Sequence, residues 1–136
     1  MANSTDRQIT LDGYKNAIVK WTMVADTSDI VLKPALQLSD LRGNDPALTL
    51  VGLRLIYAEW AMGNGIEVVT SWDSASPQQL LPLAGRGRIA ASNYGGFAPD
   101  TLRSGYTGAI DISTNGYTGG QTQVITLVFE FNKMYK

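Results

Sequence analysis

Apolar residues recur at every second position through most of this chain, the period of β-strands that turn one face to a core. In YKNAIVKWTMVA (14–25), Ala17, Val19, Trp21, Met23 and Ala25 share one face, with Ile18, Lys20, Thr22 and Val24 on the other. LTLVGLRLIYAEW (48–60) sets Leu53, Leu55, Tyr57 and Glu59 against Gly52, Arg54, Ile56, Ala58 and Trp60, with Gly52 suited to a bulge. GIEVVTSWD (65–73) alternates Ile66, Val68, Thr70 and Trp72 with Glu67, Val69 and Ser71. QTQVITLVFEFNK (121–133) places Ile125, Leu127, Phe129 and Phe131 opposite Val124, Thr126, Val128 and Glu130. Shorter strands are predicted over 7–11, 30–38, QQLLPLAG, RGRIAAS and TGAIDIST.

Turn chemistry separates these runs. MGNG (62–65) reads as a hairpin turn, because glycine and asparagine tolerate positive φ. Pro82 has no amide proton to give a ladder, so its strand belongs at a sheet edge. PALQLSDLR (34–42) has room for one short helical turn. Eight or nine short strands between turn clusters predict an all-β, single-domain antiparallel β-sandwich, jelly-roll-like, over 1–136, with 1–7 as an N-terminal arm. Lys20, Pro82 and the Lys133–Lys136 tail are candidate guards against edge-to-edge pairing.

Composition then removes chemistry. The 136 residues include no histidine and no cysteine, which excludes Ser-His, Cys-His, His-ligated and thiolate-ligated mechanisms and any disulfide. A formal net charge of −1 lacks the attraction used by binders of nucleic acid or anionic membranes, so neither is an expected partner. The polar start MANSTDRQIT has no signal-peptide core, and no apolar run approaches a membrane helix, so a soluble product is expected. DTSD (26–29) and GND (43–45) lack the spacing of an EF-hand loop, and GRGR (85–88) lacks the lysine and helix of a phosphate loop. No cofactor and no metal is expected. An enzyme would need a converged carboxylate pair, and the acids are scattered through turns and strand faces.

The aromatic residues divide in two. Trp21, Trp60, Trp72, Tyr57 and the last two phenylalanines lie in alternating strands and read as packing. Tyr94, Phe97, Tyr106 and Tyr117 lie in SNYGGFAPDTLRSGYTGAIDISTNGYTGGQT (92–122), flanked by glycine or in turns that give a ring little cover. These four are the candidate interface residues, suited to a partner protein or, with Asn93 or Asp100 as hydrogen-bonding groups, to sugar stacking.

The succession ITLDGYKNAIVKWT, LRLIYAEW, VVTSWDS, LAGRGRI, NYGGF, TGAIDISTNGY and ITLVFEFNK resembles a family of small virion structural proteins of tailed bacteriophages, over roughly residues 8–133. The resemblance rests on the order of glycine and strand motifs and carries no catalytic residue. It implies a non-enzymatic all-β subunit, made in the host cytoplasm and carried on the capsid exterior. A decoration or cement protein that binds the major capsid protein or another virion protein, as a homo-oligomer and above all a trimer, is the leading expectation. A head fibre, portal-vertex or tail component, or a carbohydrate-binding module, is the alternative.

Overall fold

The computed structural model describes residues 2–43, 47–63 and 65–136. Among the described residues nine strands form: β1 (Ser4–Asp12), β2 (Asn16–Ala25), β3 (Val31–Leu36), β4 (Leu50–Met62), β5 (Glu67–Trp72), β6 (Gln78–Ala84), β7 (Arg86–Ile89), β8 (Ile110–Asn115) and β9 (Gln123–Tyr135). Two 3-10 turns, Leu38–Asp40 and Ala91–Tyr94, are the helical elements among the described residues, the first inside the segment expected to hold one.

The strands build a five-stranded sheet ordered β1-β2-β9-β4-β7 and a four-stranded sheet ordered β3-β8-β5-β6, antiparallel throughout. Four of the antiparallel pairs are nested: β5 with β6, β4 with β7, β3 with β8 and β2 with β9. This is the wrapping of a jelly roll, with β1 added outside β2. Successive pairs of the nest fall in opposite sheets, so each buries one face against the other sheet.

The alternation read from the sequence is the core. Ala17, Val19, Trp21, Met23 and Ala25 of β2 face Ile125, Leu127, Phe129 and Phe131 of β9 along one buried layer. Val68, Thr70 and Trp72 of β5 and Ile110 and Ile112 of β8 supply the other. Trp21 meets Phe129 edge-on at 5.5 Å between ring centroids. Both buried indoles cross the core: Trp21 Nε1 donates to the Ala35 carbonyl at 3.4 Å, and Trp72 Nε1 to the Leu53 carbonyl at 3.2 Å.

Four expectations change. Residues 4–7, read as part of an arm, are the first half of β1, paired from Ser4↔Val24 onward, because Asn3 anchors the chain by accepting from the amides of Asp26 and Thr27. MGNG does not close a hairpin, since β4 and β5 belong to opposite sheets. Both edges of β4 are already taken where it ends, with the Met62 amide on the Gly85 carbonyl and the Gly63 amide on the Val124 carbonyl; Asn64 lies outside the described residues. In β4 the alternation also changes phase. A register shift between Leu55 and Tyr57 turns Ala58 inward and Tyr57 and Glu59 outward. Of the edge guards, only Pro82 lies on an edge strand, β6; Lys20 and Lys133 sit in the interior strands β2 and β9.

Candidate functional site

The four candidate aromatic residues do not converge. Tyr117 lies in the β8–β9 loop at the end of the sandwich that carries the β2–β3 loop: its hydroxyl donates to the Asp26 carbonyl and its amide to Asp29 Oδ1. Tyr94, Phe97 and Tyr106 lie in the β7–β8 loop (90–109), which packs against the β5–β6 and β3–β4 loops at the other end.

Within that loop, Tyr106 is not a free anchor. Its ring is half-buried against the core, its hydroxyl donates to the Val51 carbonyl at 2.7 Å, and burial pushes its phenol pKa up. Tyr106 therefore ties its loop to β4, where Gly52 leaves space for the hydroxyl, and Tyr117 ties its loop to the β2–β3 loop. Phe97 is also half-buried, and its backbone exchanges both hydrogen bonds with Leu55, at 2.8 and 2.9 Å, continuing the edge of β4 beyond β7.

Tyr94 alone of the four keeps its ring in solvent. The 3-10 turn Ala91–Tyr94 ends at Gly95 and Gly96, both with φ above +80°, and this reversal folds the tyrosine back over Phe97. The rings stack at 6.5 Å with 15° between planes, yet Tyr94 remains 72% exposed. Gly96 admits the stem of Arg54 so closely that a Cβ there would overlap it.

The rest of the loop is strapped along its length. Gln78 grips Asp100 through both amide atoms, at 2.7 and 3.0 Å, Arg103 reaches the Ser76 carbonyl, and Thr107 Oγ1 donates to Asp73 Oδ2. Leu102, which the sequence reading passed over, is left 91% exposed on this strapped loop. Its position in the polar stretch PDTLRSG carries no periodicity that would have flagged it.

Beside Arg54, a cavity of about 570 Å³ opens on the outer face of the five-stranded sheet. Tyr14 and Tyr135 stack there at 6.3 Å, next to Lys15, Asn132 and Met134. Asn93 and Asp100, weighed as sugar-bonding groups, do not line it.

One carboxylate pair does converge. Asp73, just past β5, and Asp111 of β8 are diagonal neighbours on the outer face of the four-stranded sheet, and Asp111's pKa is raised by burial and by Asp73 beside it, against the pull of Lys33.

No protein-family model matches the chain, and no curated protein sequence matches it. No helix among the described residues is long and apolar enough to cross a membrane.

Proposed function

We propose that this protein is a structural subunit of a tailed-phage particle, a decoration or cement protein that binds the outside of the capsid as a trimer and carries no catalysis. The observation that supports this reading most is the strapped β7–β8 loop, which holds Tyr94 and Leu102 exposed on a backbone fixed at several points. Fixing a loop before contact removes much of the ordering cost of association, so exposed apolar side chains on such a loop are suited to anchoring a partner. The resemblance of the strand and glycine motifs over residues 8–133 supplies the particle context. Cementing is mechanical: each contact across a capsomer boundary adds binding free energy to the closed shell, and repeated contacts turn modest affinity into avidity.

Light scattering on a sizing column over a range of concentrations tests the oligomer. Wild-type protein is expected as a concentration-independent trimer that co-sediments with shells of the major capsid protein. Tyr94→Ala combined with Leu102→Ser should lose one or both associations at unchanged melting temperature. A wild-type monomer that ignores the shells overturns the reading.

A second reading, a carbohydrate-binding module, draws on the cavity at Tyr14 and Tyr135, where Arg54, Lys15 and Asn132 surround stacked rings. Saturable glycan binding abolished by Tyr14→Ala, with no shell binding, would replace the first reading by this one.

A further inference from the structure

The cavity at Tyr14 and Tyr135 is positively charged. Its lining includes Lys15, Arg54 and Lys133, and no carboxylate lines it among the described residues. Asp12 neutralises Lys133, but Lys15 and Arg54 are exposed and enter no ion pair among the described residues. Glu130, two residues from Asn132 along β9, is engaged by the Asn16 amide group at 3.4 Å. The whole chain has a formal net charge of −1, so the excess of positive charge here is local.

The groups around the cavity are held in place before any ligand arrives. The turn between β1 and β2 is closed by the Gly13 amide, which donates to the Asn16 carbonyl at 2.8 Å. Strand β9 then clasps it: the Lys133 amide donates to the Lys15 carbonyl at 2.7 Å, and the Tyr135 hydroxyl to the Tyr14 carbonyl at 2.9 Å. Tyr14 thus stands on a fixed backbone with its ring against Tyr135, and it remains 49% exposed. Arg54 projects outward between the buried Leu53 and Leu55, its stem lies against Gly96, and its cross-strand partner is Asn132.

These groups select a ligand by their chemistry. An exposed tyrosine ring offers a flat apolar surface for a pyranose, and asparagine and lysine hydrogen-bond hydroxyls. A guanidinium is a planar fork that takes a carboxylate through two parallel bonds. Taking the cavity as the carbohydrate site of the second reading, we propose that it binds acidic glycans, with a sugar ring on Tyr14 and that sugar's carboxylate on Arg54, supported by Lys15 and Asn132. The sugar is then a uronic or sialic acid. The volume of about 570 Å³ lies within the ~300–1,000 Å³ of small-ligand sites. A single-stranded nucleic acid also stacks and is also anionic, but it is held by a groove of cations that tracks its backbone, and two cations at one cavity do not form one.

The test is isothermal titration calorimetry at low ionic strength with oligogalacturonate, oligomannuronate and sialyllactose, each beside its methyl ester, which keeps the ring and removes the charge. At least one acid should bind saturably, about tenfold or more tighter than its ester, and more weakly as NaCl is added. Arg54→Gln should lose about tenfold or more for the acid and bind the ester as wild type does, which separates charge recognition from damage to the fold. Tyr14→Ala should abolish binding of both. Equal affinity for acid and ester, or an unchanged affinity in Arg54→Gln, overturns the acidic class and leaves the carbohydrate reading standing. No binding of any acid or ester, or tighter binding of an oligothymidylate, overturns both.

Discussion

Lys133 occupies a core-facing position of β9 with its side chain wholly buried, a placement that costs free energy unless the ammonium is fully partnered. It donates to Asp12 Oδ1 and, at 2.7 Å, to the Arg42 carbonyl, while the Arg42 amide donates to Asp12 Oδ2 at 2.9 Å. One carboxylate at the end of β1 thereby ties β9 to the β3–β4 loop. Replacing Asp12 with alanine leaves the buried cation unpaired and should cost about 3–5 kcal/mol in a denaturant titration. Burial pushes the Asp12 pKa up, but the bonds from Lys133 and Arg42 and their charges outweigh it and hold it below the usual carboxylate range. A depressed folded-state pKa gives stability that is present above the unfolded value near ~4 and is lost as pH falls through the folded one. Acid melts should therefore lose this contribution in the wild type and show no corresponding loss in Asp12→Asn. Tyr106 makes the complementary case: Tyr106→Phe should destabilise by about 1–2 kcal/mol, because the Val51 carbonyl loses its donor. Tyr94→Ala, at a ring left in solvent, should leave the melting temperature within error.

Between residue and fold, the strands were legible wherever a period of two ran unbroken. Ala17 to Ala25 and Ile125 to Phe131 turned inward as their alternation required, because one residue out of phase would have buried Lys20 or Glu130. β4 was misread past Leu55, since an extra residue at a bulge shifts the phase without a sequence signal stronger than the one at Gly52. The loop aromatics were half legible: flanking glycine marked them as close to the backbone of something, and only coordinates distinguish a partner's backbone from the chain's own. The nearness of Asp73 to Asp111 was illegible, being made by cross-strand register between residues far apart in sequence. Loops also hold elements together at the far end. Gly116 has φ +87°, and a Cβ there would overlap the Gly65 carbonyl oxygen, whereas Gly119 faces open space. Gly116→Ala should lower stability by about 1–3 kcal/mol and Gly119→Ala should leave it nearly unchanged, a contrast that paired thermal melts would reveal.

At the scale of the whole molecule, fold class, two-sheet architecture and the identity of most core positions follow from the alternation, while the order of strands does not. Nothing in the period of β2 says that its neighbours are β1 and β9 rather than β3. That order has a consequence for how the chain is made. β5 and β6 are adjacent in sequence, and each further pair of the nest joins segments more distant than the last. Contacts of that kind make folding slow, because the chain entropy of closing long loops is spent before they are rewarded. The heaviest dependence falls on β9, which lies between β2 and β4 and is paired with both along most of its length. Until Gln123–Tyr135 leaves the ribosome, both neighbours carry an open apolar edge with no mutual partner. A chain stopped before Gln123 should show no cooperative thermal transition by circular dichroism, and release of the last strand is then the step that commits each copy to its native shape.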